Sequence, residues 1–308
     1  MYGIGLSKGI GIENIRIHGK RHALFKTDDN RLRMVDGTCP HRGAKLADGR
    51  VKGKNIQCPY HGWEFGGDGK LKKVPSSESL PCGADLQSYP IIEDGGFVWM
   101  SDTYDELPTR HCDELFDPSW VKVYGSKELQ GNMTDWILNG TDISHINYVH
   151  NFADENNGIV TNTHVEMFDR YVDCFATVQP KASSAFTKHM QPENGSNVRA
   201  RFVGPATSII RIRLNGPYEF ITFTTLLPID EENTKMSWCL LYPKMPLLDN
   251  PLIYTRFYNK MFETVAQDET IIQNLEWVPL SINVKCDIFQ LKALELLKNR
   301  TLLIDGEK

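Results

Sequence analysis

Cys39-Pro-His-Arg-Gly-Ala-Lys-Leu46 and Cys58-Pro-Tyr-His-Gly-Trp63 decide how this chain is read. Each segment sets an imidazole close behind a thiol, Cys39 with His41 and Cys58 with His61. Gly43 and Gly62 follow, where a tight loop favours a residue without Cβ. Two such loops let two thiolates hold one iron and two imidazoles hold another, giving a mixed-ligand [2Fe–2S] cluster. Replacing thiolates by neutral imidazoles removes negative charge and raises the reduction potential. A structural zinc site is the competing use of the same four residues. Zinc motifs, however, generally space their paired ligands more widely and do not interleave Cys-x-His with Cys-x-x-His.

Around these loops the chain reads as short strands. Asp36-Gly37, Asp48-Gly49, Gly66-Gly67 and Asp94-Gly95-Gly96 punctuate residues 10–105 with turn signals, which predicts a small all-β domain. The segments CPHRGAKL and CPYHGW together resemble the Rieske domain of the Rieske non-haem iron oxygenase family. Rieske proteins of cytochrome bc-type complexes carry an extra cysteine in each loop. Ala44 and Tyr60 stand near those places here, which favours the oxygenase or ferredoxin branch.

A ferredoxin would end near residue 105, yet this chain has 308 residues. The remainder contains Asn139-Gly-Thr-Asp142-Ile-Ser-His145-Ile-Asn-Tyr-Val-His150. Two histidines and one carboxylate form the facial triad of oxygen-activating iron(II) and leave coordination positions open. Asn139, Asp142 and His145 recur at threes, which predicts one helical face with the Asp142 side chain bonded to the His145 ring. His150 lies five residues on, about 140° out of register on an ideal helix, so the helix must distort or end between the two histidines. The segment also resembles the family's iron motif, Asn-x-x-Asp-x-x-His-x4-His, at every position.

The carboxylate has to come from elsewhere. Asn250-Pro251 signals a helix start, and a helix over 251–277 carries Phe257, Met261, Val265, Ile272 and Leu275 as an apolar stripe. Asp268 falls inside the stripe, where an unpaired carboxylate is costly, so it needs a metal or a buried arginine. Asp287 is a reserve ligand, and Glu263 and Glu269 point off the stripe toward solvent. Asp268 resembles the family's late aspartate ligand.

Bulk properties bound the remaining choices. The composition, 41% hydrophobic and 24% charged, is that of a globular protein. No run approaches the roughly 18 apolar residues of a membrane span. The opening residues lack signal-peptide character, so a cytoplasmic location is expected. Seven scattered cysteines argue for reduced thiols rather than a disulfide framework. Residues 1–75 hold 15 Lys+Arg against 7 Asp+Glu, whereas the rest holds 19 against 32. An acidic chain is a poor nucleic-acid ligand. A basic first domain suits steering of an acidic protein partner.

The expected fold is α+β: a Rieske domain over 1–105, then a catalytic domain over 106–308. Alternation in 208–214, 219–227 and 235–242 predicts antiparallel strands, and 106–130 reads as a connection. The resemblance implies a helix-grip second domain, a curved sheet around a long helix. Phe202, Ile210, Phe223 and Trp238 are the expected pocket lining. It further implies an oxygenase component with a [2Fe–2S] cluster, mononuclear Fe(II) and O2 as co-substrate. Its electrons would come from a ferredoxin or flavin reductase. A homotrimer is implied, in which Asp142 bridges electron transfer from His61 or His41 of a neighbouring chain, with Asn139 near the iron. The short chain and the ligand spacing are similar to the monooxygenase branch, which implies a hydrophobic cyclic substrate such as a steroid, aromatic ether or alkaloid-like molecule. The alternative is a Rieske electron carrier whose second domain only binds.

Overall fold

The computed structural model describes residues 1–100, 106–150, 160–178, 192, 195–216, 218–245, 250–276 and 282–305, with the backbone alone at 299–305. The chain divides into two compact units, Met1–Glu106 with Leu227–Glu232, and Leu107–Leu226 with Asn233–Lys308. The short piece Leu227–Glu232, which the sequence places in the second domain, groups with the first. Leu227 is buried in the same apolar cluster as Ile4, Ile15, Leu24, Met34 and Val98. The carbonyls of Pro228 and Ile229 accept from the amides of His18 and Gly19.

Among the described residues, eleven strands build the first unit: β1 (Tyr2–Leu6), β2 (Ile12–Ile17), β3 (Lys20–Lys26), β4 (Leu32–Asp36), β5 (Arg50–Lys52), β6 (Asn55–Gln57), β7 (Glu64–Gly66), β8 (Leu71–Lys73), β9 (Ser88–Tyr89), β10 (Ile91–Asp94) and β11 (Phe97–Met100). They form three antiparallel sheets, ordered β1-β11-β10, β2-β3-β4-β9 and β5-β6-β7-β8. One apolar core runs from Ala23, Phe25 and Val35 to Ile56, Phe65 and Leu71 and takes in Cys39 and Cys58. The two cysteine loops are therefore rooted in packed side chains.

In the second unit, among the described residues, seven strands form one antiparallel sheet: β12 (Trp120–Gln130), β13 (Thr161–Met167), β14 (Tyr171–Val178), β15 (Ser196–Val203), β16 (Thr207–Arg213), β17 (Glu219–Pro228) and β18 (Asn233–Pro243). Their order is β12-β18-β17-β16-β15-β14-β13. β12 corrects the expected connection over 106–130. Gly125-Ser126 and three charged residues blur its alternation, yet it pairs with β18 along its whole length as an edge strand.

Among the described residues, four helices accompany the sheet: α1 (Met133–Thr141), α2 (Ile146–Val149), α3 (Pro251–Ile272) and α4 (Ile288–Asp305). The α3 start is the one the sequence signals. Asn250 Oδ1 accepts from the amides of Leu252 and Ile253, and Pro251 opens the first turn. The helix ends at Ile272 rather than 277; Leu275 is exposed, and Trp277 lies outside the described residues. Phe257, Tyr258 and Met261 of α3 pack on Val123, Leu240 and Tyr242 of the sheet.

Sheet register sorts the expected pocket residues. Phe202 pairs with Ser208 and Ile210 with Thr222, so Phe202 and Ile210 share one face. Two residues along from Ile210, Ile212 pairs with Phe220, whose ring meets α3 through Phe257 at 5.2 Å. This is therefore the α3 face. Trp238 joins it, its ring edge-on to Phe262 of α3 at 4.9 Å. Phe223 pairs with Ile209 and stands on the opposite face, because side chains alternate with period two. It cannot line a cavity with the other three. That opposite face carries ion pairs: Asp173 with Arg199 and Arg201, and Arg211 with Glu114.

Candidate metal centres

The two cysteine loops close in the same way. The Cys39 amide donates to Ala44 O at 2.8 Å, and the Gly43 amide to Cys39 O at 2.9 Å. The Cys58 amide donates to Trp63 O at 2.8 Å, and the Gly62 amide to Cys58 O at 3.2 Å. Gly43 and Gly62 sit at φ 74° and 72°, the left-handed region glycine tolerates. Unequal Cys-to-His spacings thus hang on equivalent frames.

The two thiols are buried next to each other. Burial, and then the neighbouring Cys58 thiol, push Cys39 up to about 11. Left bare, the Cys39 thiol stays protonated; a bound ferric ion would reverse that, because it holds thiolates outright. On the imidazole side, the rings of His41 and His61 are 4.6 Å apart, with His41 stacked on Trp63 at 4.5 Å and Tyr60 over His61 at 3.8 Å. His41 Nδ1 is buried with no hydrogen-bond partner, a cost that a metal bond would remove.

A single tetrahedral ion requires its donors within about 4 Å of one another, given metal–ligand distances of roughly 2.0–2.3 Å. Among the described residues, donor atoms of three or more candidate ligands gather within 4.8 Å only at His145, His150 and Asp268. The four residues of the cysteine loops do not converge on one point. They fit a binuclear cluster with a thiolate end and an imidazole end.

The second centre lies wholly in the second unit. α1 ends at Thr141 and α2 spans one turn, so His145 and His150 flank α2 as its N-cap and C-cap. The break between α1 and α2 falls before His145; α2 itself fills the interval between the two histidines and ends at His150 in extended backbone (φ −102°, ψ 133°). The break takes Asp142 off the expected common helical face, with extended backbone at φ −89°, ψ 110°. His145 Nδ1 meets the main-chain oxygen of Asp142 at 2.6 Å, not its carboxylate. The carboxylate Oδ1 instead accepts from the Ser144 amide (2.7 Å), the Ser144 hydroxyl (2.6 Å) and the His145 amide (3.3 Å). Asp142 therefore fixes the His145 ring, through an atom the sequence did not point to.

α3 delivers the carboxylate. Asp268 Oδ1 lies 3.4 Å from Nε2 of His145 and 3.4 Å from Nε2 of His150, and accepts from Asn139 Nδ2 at 3.3 Å. These contacts stand in place of the arginine that was the alternative partner. Burial lowers both histidines. For His145 the Asp268 and Asp142 carboxylates outweigh it and leave the net shift upward, whereas His150 ends below its ordinary value. Asp287 is no ligand in this arrangement; its carboxylate accepts from the Val284 amide ahead of α4.

Both neighbours of Asp268 have roles that sequence did not signal. Gln267 Oε1 lies 3.1 Å from His150 Nδ1. Glu269, expected in solvent, pairs with Lys127 of β12 and accepts from the Gln130 amide at 3.1 Å. It ties the ligand-bearing turn of α3 to the sheet edge. A polar residue beside a ligand looks the same in sequence whether it is solvated or bonded 117 residues away.

Both parts of the chain match known protein families. Residues 6–90 match the model of the Rieske [2Fe-2S] domain, and residues 132–301 match that of the vanillate O-demethylase oxygenase C-terminal domain. A probable 3-ketosteroid-9-alpha-monooxygenase oxygenase component of Rhodococcus rhodochrous is 35% identical over 140 residues, 43% of this chain and 35% of that protein. The cholesterol 7-desaturase nvd of Bombyx mori is 31% identical over 138 residues, 43% of this chain and 30% of that protein. The matched stretch thus spans about a third of these curated relatives. Dicamba monooxygenase bound to 3,6-dichlorosalicylic acid superposes with a TM-score of 0.85 at 18% identity, covering 100% of this chain and 98% of that one. NdmA of Pseudomonas putida CBB5 with caffeine gives 0.76 at 19% identity, covering 94% and 84%. At such identities the likeness is one of fold.

Proposed function

Because the chain belongs to the Rieske oxygenase family, with a Rieske [2Fe–2S] domain and a vanillate O-demethylase-type C-terminal domain, we propose that it is the oxygenase component of a Rieske non-haem iron system. It oxidises a hydrophobic cyclic small molecule with O2 and single electrons from a ferredoxin or flavin reductase. The observation that carries the reading is the meeting of His145 Nε2, His150 Nε2 and the Asp268 carboxylate within 4.8 Å, in a chain that also holds the four-residue cluster set. Bound there, the [2Fe–2S] cluster supplies electrons and the mononuclear Fe(II) offers open positions for O2 beside the substrate.

The protein's own residues prepare that chemistry. Cys39 and Cys58 hold one cluster iron, and His41 and His61 the other. His145, His150 and Asp268 present three donors and leave the rest of the iron's shell open. Asn139 holds the Asp268 carboxylate, and Asp142 holds the His145 ring, poised as the electron bridge of a homotrimer. Apolar Phe202, Ile210 and Trp238, on the sheet face toward α3, suit an apolar guest. Relatives named for steroid substrates, and neighbours solved with an aromatic acid or caffeine, support the cyclic class.

Anaerobic EPR of the dithionite-reduced protein with an iron and zinc assay tests the reading. A rhombic Rieske signal with about three irons per chain supports it, two in the cluster and one at the triad. About two irons would leave an electron carrier with a binding domain. Zinc without the signal would remove the cluster.

A further inference from the structure

His145 and His150 present the same nitrogen to Asp268, but two different devices hold them. The His145 ring is set by a main-chain carbonyl, an acceptor that no substitution at that position removes. The His150 ring is set by a side chain, Gln267, at 3.1 Å. A carbonyl oxygen, whether main-chain or amide, only accepts, so Nδ1 of each ring carries a proton, and in the neutral ring Nε2 keeps its lone pair. That is the nitrogen found 3.4 Å from Asp268 Oδ1 in both cases.

We propose that Gln267 is the positioning residue that selects the metal-binding tautomer of His150 and, being an uncharged amide, adds no second negative charge beside the Asp268 carboxylate. The inference rests on the iron-site reading and goes beyond its three ligands. Gln267 lies one residue before Asp268 on α3, so the same helical turn sets the ligand carboxylate and the His150 ring. Rotating the amide by half a turn would face its NH2 to Nδ1. The imidazole proton would then have to sit on Nε2, and His150 could not ligate. Glutamate at 267 would keep the acceptor but add a full negative charge, making the imidazole more basic. An aliphatic side chain would take this acceptor away from Nδ1 in a buried site.

The test uses the full chain with its Rieske cluster loaded and the mononuclear site depleted, titrated anaerobically with Co(II) and read by visible absorption against a competing chelator. Gln267→Leu is expected to weaken Co(II) about 10- to 100-fold, the usual range for losing the hydrogen-bond partner of a ligand histidine. The Rieske EPR signal should not change. Gln267→Glu is expected to bind at least as tightly as wild type, with a shifted Co(II) spectrum; a purely structural role for residue 267 would not give that charge-dependent rescue. Wild-type affinity and spectrum in Gln267→Leu would overturn the proposal and leave the iron site standing. If that variant fails to fold, Gln267→Glu decides alone, and affinity below wild type overturns it. Wild-type protein that takes up no Co(II) with His145, His150 and Asp268 intact would overturn both readings.

Discussion

His145 Nδ1 lies 2.6 Å from the main-chain oxygen of Asp142, while the Asp142 carboxylate caps the turn at Ser144. Orientation of the ligand ring and the charge of the aspartate are thus separate properties of one residue. Asp142→Asn keeps the backbone bond and removes the charge. Both metals should stay bound, with wild-type iron content and Rieske EPR, while turnover falls on the order of 100-fold. Normal turnover would remove Asp142 as the electron bridge.

Asp268 is shared by both histidines and by Asn139. Asp268→Ala should lower iron by about one per chain and abolish product, and leave the Rieske signal of the reduced protein intact. Iron analysis beside EPR checks this. Retention of all the iron would show that Asp268 is not a ligand.

Asp173 is pushed up by burial, but hydrogen bonds and charge from Arg201 and Arg199 outweigh this and hold its carboxyl below the ordinary carboxylate range. Its folded pKa is therefore below its unfolded one. The stabilisation is complete above the unfolded value near 3.9 and is lost as pH falls through the folded value. Asp173→Asn should cost about 3 kcal/mol at pH 7, since it strands partly buried arginine charge. Urea melts should show the gap between variant and wild type narrowing below about pH 4. A gap that does not change with pH would assign the loss to packing.

Gly125 of β12 lies under the Trp238 indole of β18. A Cβ at 125 would fall 2.5–2.8 Å from the ring atoms Cζ2, Cε2 and Nε1. Gly125→Ala should destabilise the second unit by about 1–3 kcal/mol through overpacking. The Rieske EPR signal should not change. A thermal melt that matches wild type would mean that the indole moves aside freely.

The two cysteine–histidine loops were legible in the sequence because each closes on itself within six residues, from Cys39 to Ala44 and from Cys58 to Trp63. His145 and His150 were legible from their spacing, and a helix does end ahead of His150, but the break that separates α1 from α2 falls before His145 and was not legible. Asp268 stood out as a carboxylate in an apolar stripe. The strands at 208–214, 219–227 and 235–242 followed from alternation, but β12 did not, because an edge strand needs less of it.

The sequence by itself determined the kinds of metal site this protein can build, since ligand type and short-range spacing are covalent facts. Only the tertiary structure decided which oxygen of Asp142 meets His145, that Gln267 meets His150, that Glu269 is tied to Lys127, and that Phe223 faces away from Phe202, Ile210 and Trp238. Those relationships depend on where segments far apart in the chain meet. Sheet register sets which side chains share a face, and the packing of α3 sets which polar atoms fall within hydrogen-bond reach. Neither leaves a mark on local sequence.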